Sequence, residues 1–269
     1  MIIKYMAPTL LLERTNKHER DDSIVFDEEP HIYYVEDNAV STSVTTLVHH
    51  YFGKFNADLI ISRMMRGKNW MSSKYYGMTA DEIKKQWSDA GNEATHHGTI
   101  MHKAIECFYN DESAEAPEHT ETIEYKQFED FHKDHQDSLK AYRTEWVVYD
   151  KDVDLAGSID MIFENTEDGT LSIYDWKRSK EIKTTNSYSK GIGVMSHLPD
   201  CNYVHYSLQL NIYKYMLETK YNKTIRDMFL VVMHPTYKSY MKFEVMDLQK
   251  EVHTIMNERK EYLKNNGEV

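Results

Sequence analysis

Three segments decide the fold of this chain: EWVVYD (residues 145–150), VDLAGSIDMIF (153–163) and LSIYDWK (171–177). Each segment is short and rich in β-branched and aromatic residues, and polar turn residues separate one from the next. Such a pattern is typical of successive antiparallel strands. The sequence therefore predicts three consecutive strands in this region.

The third segment carries two charges on an otherwise apolar face. Side chains alternate between the two faces of a strand, so Asp175 and Lys177 share a face with Leu171 and Ile173. Asp160 likewise interrupts the apolar run of the strand before. Charged side chains are unusual in a core, and these therefore mark a candidate site.

Two carboxylates and a lysine at neighbouring strand ends suit metal-assisted hydrolysis of a phosphodiester. The carboxylates of Asp160 and Asp175 would hold one or two divalent cations, and Lys177 would steady the nucleophile or the developing charge. Glu145, on the preceding strand, is predicted to reach the metal region as a further ligand or as a hydrogen-bonding neighbour of one. The alternative is a structural ion pair between Asp175 and Lys177.

Two further polar motifs flank the strands. Upstream, HHGTIMHKAIE (96–106) would, as a helix, place His102 and Glu106 on one face with Thr99, and imidazole beside carboxylate is a metal-ligand pairing. Downstream, YSLQLNIY (206–213) would place Gln209 and Tyr213 together as a polar spot on an apolar helix. Taken alone, each set also fits ordinary surface or core residues.

In chain order the motifs read G-T-x-x-H, E, G-S-I-D, D-x-K and Q-x-x-x-Y, from about Gly98 to Tyr213. This order resembles the PD-(D/E)XK nuclease superfamily, and within it the RecB-like branch that includes the mitochondrial genome maintenance exonuclease and the CRISPR-associated adaptation nucleases. The resemblance implies a set of metal ligands, a catalytic lysine and a helix that contacts DNA or orders the site. The implied metal ligands are His102, Asp160, Asp175 and the main-chain carbonyl of Trp176. The implied catalytic lysine is Lys177, and the implied helix carries Gln209 and Tyr213.

The cofactor expected from the resemblance is Mg²⁺ or Mn²⁺. Asp175 stands where many members of the superfamily carry Glu. Glu106 is expected to contact the metal ligands rather than the metal itself. The chain has only two cysteines, Cys107 and Cys201, so the four-thiolate set that holds an iron–sulfur cluster in several relatives is absent from the sequence. No iron–sulfur cluster is therefore expected.

The net charge of −12 argues against a protein that coats nucleic acid by bulk electrostatics. The charge is unevenly distributed, however. Residues 111–124 carry six acids and no Lys or Arg, whereas residues 54–74 and 177–190 each carry five bases and one acid. The second basic stretch predicts phosphate contacts from Arg178, Lys180 and Lys183, with Thr99 also near DNA; the alternative is a solvated charged face. The best candidates for base stacking are Tyr75, Tyr76 and Tyr188.

The length of 269 residues fits one large domain with a helical extension. We expect an α+β fold with a restriction-endonuclease-like central mixed β-sheet flanked by helices. Residues 1–95 would form an N-terminal arm, a hairpin and a helical extension, and residues 96–269 the nuclease core. We further expect a loosely held arm over residues 1–22, a helix that begins at a capping box formed by Thr79 and Glu82, and a break or bend at Gly91. An exposed acidic loop is expected over residues 111–124, and a mobile loop between Lys177 and Cys201.

The sequence and its resemblance favour a metal-dependent DNA nuclease. It would be an exonuclease acting on ends or single strands in replication, recombination or repair, with a possible helicase or replication partner. The alternatives are a nucleic-acid-binding module without turnover, an RNA-directed endonuclease, or an unrelated metal–carboxylate protein built on His102 and Glu106. The longest apolar run near the start, residues 7–12, is too short to span a membrane, so a soluble intracellular protein without membrane contact is expected.

Overall fold

A computed structural model of the chain describes residues 11–110 and 120–266. These residues form two compact units, of which the first contains residues 11–53, 101–110 and 120–266 and the second residues 54–100. The N-terminal hairpin packs with strands of the larger unit, and the expected division at residue 95 stays a prediction. Most of the predicted acidic loop, residues 111–119, lies outside the described residues.

The described residues form seven α-helices and nine β-strands. The helices are α1 (Leu11–Thr15), α2 (Val44–His50), α3 (Ala57–Arg66), α4 (Ala80–Asn110), α5 (Ile123–His135), α6 (Asn202–Lys220) and α7 (Gln249–Asn266). The strands are β1 (Ile24–Asp27), β2 (Ile32–Val35), β3 (Asn38–Ala39), β4 (Thr42–Ser43), β5 (Leu139–Asp150), β6 (Leu155–Asn165), β7 (Leu171–Arg178), β8 (Ile225–Met233) and β9 (Met241–Glu244). No helix in this part of the chain is long and apolar enough to cross a membrane.

The central sheet is mixed, as predicted. Its strand order is β4-β6-β7-β8-β9, and β5 also pairs with β6. The β5–β6, β6–β7 and β8–β9 pairs are antiparallel, whereas β4–β6 and β7–β8 are parallel. The β7–β8 pair is parallel because α6 lies in the connection between these strands and returns the chain to the other end of the sheet.

The predicted alternation of β7 is confirmed by the packing of its two faces. Ile173 lies in one core with Leu208 and Ile212 of α6. Tyr174 and Trp176 lie in a second core with aromatic residues of α5 and with Met101 and Ile105, from the end of α4. Helices thus cover both faces of the sheet, and the predicted α+β architecture is confirmed.

The loosely held arm is a wrong prediction for residues 11–22. One oxygen of Asp21 lies 2.7 Å from the guanidinium of Arg143, and the other accepts a hydrogen bond of 2.8 Å from the indole of Trp146. Leu12 is buried, and its main-chain N–H donates to the side chain of Asn110. Residues 1–10 lie outside the described residues.

The start of α4 was predicted correctly, but the break at Gly91 was not. Thr79 and Glu82 form the expected capping box, in which each side chain accepts a hydrogen bond from the other residue's main-chain N–H, at 2.7 and 3.3 Å. The helix then continues for 31 residues through Gly91. A glycine in a helix interior costs only about 1 kcal/mol, which a long helix tolerates.

Candidate active site

The site lies where β6 and β7 part. The antiparallel ladder between these strands ends at the Met161–Tyr174 pair, so the next residues in register would be Asp160 and Asp175. Like charges directly opposite one another destabilise a sheet, which explains why the pairing stops there. Because β7 remains paired with β8 as far as Arg178, the two strands form a fork with a carboxylate on each branch.

Asp160 occupies the opening of this fork. Its Oδ2 accepts a hydrogen bond of 3.0 Å from the main-chain N–H of Trp176. This N–H lies beyond the end of the β6–β7 ladder and is not used in it. The carbonyl oxygen of Trp176 lies 2.9 Å from Nε2 of His102, on α4. The structure thus brings together His102, Asp160 and the Trp176 carbonyl, three of the four predicted ligands.

Glu145 faces Asp160 from β5, because its neighbours pair in register with Met161 and Ile159. Its backbone has φ +43°, in the left-handed region that a non-glycine residue adopts at a cost of about 1–2 kcal/mol. The carboxylate lies 3.5 Å from Nδ1 of His102 and accepts a hydrogen bond of 3.0 Å from Ser158. This strained position therefore directs the Glu145 side chain to the imidazole.

The donor set of this group fits a divalent cation. One ligand atom from each of His102, Glu145 and Asp160 can be chosen so that all three lie within 4.8 Å of one another. Ligands at about 2.0–2.2 Å from a shared ion would stand roughly 3–4 Å apart, so the side chains need only small movements. Imidazole together with carboxylates suits Mg²⁺, Mn²⁺ and related ions. Glu145, predicted as a ligand or a neighbour of one, thus joins the group itself.

Asp175 lies outside that group and pairs with Lys177. The ammonium Nζ is 2.7 Å from Oδ2 of Asp175, and the two side chains are only 19% and 3% exposed. Burial raises the pKa of the Asp175 carboxyl, although the nearby ammonium opposes the rise. Burial lowers the pKa of Lys177, but the carboxylates of Asp175 and Asp160 outweigh it, and the net shift is upward. Lys177 therefore remains a cation within the fork.

His102 is surrounded by oxygen atoms. Burial lowers the pKa of its imidazole, but the carboxylates of Asp160 and Glu145 outweigh burial and raise the pKa to about 9. The neighbouring carboxylates thus favour the protonated imidazole, and each ring nitrogen lies near an acceptor oxygen. Because a ligating imidazole must give up a proton, cation binding here would release one.

The motif residues thus meet at one point of the fold, and the sequence places them in a known family. The sequence model of the PD-(D/E)XK nuclease superfamily matches residues 72–266, more than half of the chain. The chain belongs to the PD-(D/E)XK nuclease superfamily. Nucleases of this superfamily use divalent metals, so membership implies a metal-dependent nuclease.

Other comparisons add little. A solved structure described as "Crystal structure of SSO0001" is similar at 15% sequence identity, over 93% of this chain and 82% of that chain, with a TM-score of 0.31. A TM-score this low supports no conclusion about the fold or the function of this chain. No curated protein matches the chain.

In this nuclease the Gln209–Tyr213 pair of α6 faces the interior rather than the surface. Tyr213 is only 3% exposed, and its side chain interacts with that of Gln209. A Cβ atom added to Gly157 would lie 2.8 Å from the Tyr213 hydroxyl, so the glycine of the G-S-I-D motif makes room for this tyrosine. A contact between Tyr213 and DNA is therefore excluded in this conformation, and the alternative, that Tyr213 orders the site, stands. Gln209 is half-buried, and its contact with DNA stays a prediction.

Sequence reasoning missed Tyr206. The Lys177 ammonium lies 4.9 Å from the centre of the Tyr206 ring, in a cation–π contact. Lys177 is thus held between the Asp175 carboxylate and an aromatic face. Tyr206 lies three residues before Gln209 on α6, and this helical spacing was the signal that could have identified it.

The predicted DNA-contacting residues of this nuclease divide into two kinds. The guanidinium of Arg178 lies 2.6 Å from the Glu124 carboxylate and its side chain is 14% exposed, so its contact with DNA stays a prediction. Lys180 and Lys183 are on or near the surface, as the prediction requires. The Thr99 hydroxyl donates to the main-chain carbonyl of Thr95 within α4, and its contact with DNA stays a prediction.

Glu106 was expected to contact the metal ligands rather than the metal itself. Its carboxylate lies 3.1 Å from the Lys103 ammonium, one turn away on α4, and its side chain is 14% exposed. It is not a member of the His102–Glu145–Asp160 group. Both cysteines of the chain, Cys107 and Cys201, are buried free thiols.

Proposed function

We propose that this chain is a Mg²⁺- or Mn²⁺-dependent exonuclease of the RecB-like branch that acts on DNA ends or single strands. The observation that carries the proposal is the grouping of His102 with Glu145 and Asp160 beside the Asp175–Lys177 pair. The helical histidine supports the RecB-like assignment, because its ring meets both Asp160 and the Trp176 carbonyl, in line with the order of motifs in the sequence.

Each residue has a role that follows from its charge and position. His102, Glu145 and Asp160 would hold the cation, with the Trp176 carbonyl as a further oxygen donor. A bound divalent cation supplies an activated water molecule and stabilises the leaving oxygen. Lys177, which cannot ligate a cation while it is charged, would neutralise the charge that develops on the phosphate. Asp175 would hold the ammonium in place, and it stays a predicted ligand of the cation from the same fork.

The biological setting is a proposal from the resemblance alone. We propose action in replication, recombination or repair, alongside a helicase or another protein that exposes DNA ends. A nucleic-acid-binding role without turnover is less well supported, because both the acidic group and the lysine are present. An RNA substrate is separated from DNA by the experiment below.

The test is cleavage of end-labelled linear DNA, closed circular single-stranded DNA, duplex DNA and RNA by the full chain. Each substrate is incubated with Mg²⁺, Mn²⁺, Ca²⁺ or excess EDTA. We expect linear DNA to be degraded with Mg²⁺ or Mn²⁺, with Mn²⁺ at least as effective because an imidazole ligand suits the softer ion. Ca²⁺ should bind and support little cleavage.

Each component of the proposal has an outcome that overturns it. Full activity in EDTA contradicts metal dependence. Cleavage of closed circles at the rate of linear DNA contradicts an exonuclease. Faster degradation of RNA than of DNA favours the RNA-directed alternative, and binding without cleavage under every condition favours the module without turnover.

A further inference from the structure

The second compact unit carries an unusual concentration of exposed apolar side chains between residues 55 and 76. Within the described residues, twelve large hydrophobic side chains are exposed, and five of them lie in this short stretch. They are Phe55 (73% exposed), Leu59 (46%), Ile60 (39%), Met71 (77%) and Tyr76 (56%). A cluster of this kind on a soluble protein marks an interaction site. We refer to residues 54–76 as the basic aromatic surface.

The basic aromatic surface is positively charged in an acidic protein. Five bases lie between residues 54 and 74 against one acid, Asp58, while the whole chain carries −12. The Asp58 carboxylate is itself paired with Lys84 at 2.8 Å. Within residues 11–110 and 120–266, no carboxylate lies within 4.0 Å of any of the five cations, which are Lys54, Arg63, Arg66, Lys68 and Lys74; Arg66 donates instead to the Ser62 hydroxyl.

The aromatic side chains of this unit are packed against one another rather than scattered. Trp87 lies 6.0 Å from both Phe55 and Tyr75, measured between ring centres, and its indole N–H donates to the Tyr75 hydroxyl at 2.7 Å. Trp70 and Tyr76 form a second pair at 5.9 Å. Lys74 lies 4.8 Å over the ring of Tyr75. One cation, Lys74, thus lies over a ring of this unit, and the rings are held in place by their neighbours.

We propose that the basic aromatic surface binds single-stranded nucleic acid. Its free cations would contact phosphates, and Phe55 and Tyr76 would stack on unpaired bases, a combination that binds single strands without sequence preference. A duplex offers no free base faces to these rings. A protein partner fits less well, because an interface would bury five cations for which the surface supplies no carboxylates. The inference deepens the proposed function by giving it a second contact for the strand, outside the metal-binding residues.

The charge component is tested by binding of the full chain to fluorescein-labelled dT20 in EDTA, followed by fluorescence anisotropy. The test variant carries Lys54→Gln, Arg63→Gln, Lys68→Gln and Lys74→Gln. The control variant carries Lys133→Gln, Lys238→Gln, Lys250→Gln and Lys264→Gln, which removes the same charge from exposed lysines elsewhere. We expect at least about tenfold weaker binding in the test variant, and a slope of log K against log salt that is lower by about 2–3. The control should change by less than about threefold.

The stacking component is tested with Phe55→Ser combined with Tyr76→Ser. Loss of one stacked base weakens binding about 5- to 150-fold, so this variant should bind dT20 at least fivefold more weakly than the parent. Its affinity for a blunt duplex should be unchanged. Tyr262→Ser, at a tyrosine that is 59% exposed on α7, is the matched control and should bind like the parent.

Some outcomes overturn this inference without touching the proposed function. If the test and control charge variants bind alike, the cations are solvated surface charges. If the parent sediments as a dimer and the Phe55/Tyr76 variant as a monomer with unchanged DNA binding, the surface is a protein interface.

Hydrolysis of bis(4-nitrophenyl) phosphate with Mn²⁺ separates the two proposals. This diester has no bases and needs only the metal-binding residues. The parent and all surface variants should hydrolyse it at the same rate. If the parent hydrolyses neither this diester nor DNA, the proposed function fails, while the contrast in dT20 binding still decides the inference about the surface.

Discussion

The Nζ atom of Lys177 lies 2.7 Å from Oδ2 of Asp175, at the point where β6 and β7 separate. Both side chains are largely shielded from water, so each charge depends on the other. Asp160 and Asp175 would face each other across the ladder if it continued, yet they have different partners. Asp160 lies close to His102 and Glu145, whereas Asp175 pairs with Lys177. The two acids of the fork therefore have separable roles.

Lys177→Ala is expected to separate catalysis from metal binding. The ammonium cannot ligate a cation, so the variant should retain Mn²⁺ binding while single-turnover cleavage falls by two or more orders of magnitude, the scale of one lost transition-state contact. Asp160→Asn is the contrast and should lose metal binding and cleavage together. Calorimetry of Mn²⁺ binding beside single-turnover rates tests both. Near-parental cleavage by Lys177→Ala would reduce the pair to a structural ion pair.

Glu145→Gln is expected to lower the cleavage rate by about 10- to 100-fold while the fold is retained. The amide keeps the shape of the side chain but loses the negative charge beside His102. An unchanged rate would assign Glu145 to a structural role only.

The backbone of Glu145 gives a second, independent prediction. Because its φ of +43° favours glycine, Glu145→Gly should be more stable than Glu145→Ala by about 1 kcal/mol. Both changes remove the carboxylate, so activity should fall equally in the two variants. Urea denaturation of the pair measures the difference, and equal midpoints would contradict a strained conformation at this position.

Substitution of Arg178 is expected to lower stability, whereas substitution of Lys180 and Lys183 is expected to weaken DNA binding. Arg178→Gln breaks a shielded pair with Glu124 and should destabilise the fold by about 3–5 kcal/mol, the range for a buried ion pair that loses one partner. Lys180→Gln combined with Lys183→Gln should leave stability unchanged and weaken DNA binding about equally for all sequences. Thermal unfolding and anisotropy on both variants test this. An unchanged melting temperature in Arg178→Gln would show that the pair contributes little.

Tyr206 is expected to position Lys177 through its ring rather than its hydroxyl. Tyr206→Leu should lower kcat by about 2- to 30-fold with little change in KM, the range of a cation–π contact, and Tyr206→Phe should restore the parental rate. NMR of lysine-labelled protein gives a readout besides activity. The Lys177 ε-methylene signal should carry a ring-current shift in the parent and in Tyr206→Phe, and lose it in Tyr206→Leu. Equal spectra in all three proteins would contradict the contact.

Local geometry allowed several features to be predicted from the sequence by itself. Side-chain alternation along a strand depends only on the backbone, so the shared face of Asp175 and Lys177 and the opposite face of Trp176 followed from their numbering. Helix caps are equally local, and the Thr79–Glu82 box was found for that reason. The order of motifs was sufficient to suggest the superfamily to which the chain belongs.

Contacts between distant residues were decided only by the tertiary structure. Arg178 meets Glu124 across 54 residues of sequence and Asp21 meets Arg143 across 122, and no local pattern marks either pair. The ring of Tyr206 lies beside Lys177 because α6 packs on the same face of β7. The turn of the backbone at Glu145, which brings a second acid to His102, likewise depends on the strands around it. Periodicity determines which face a side chain occupies, whereas long-range packing determines which partner it meets there.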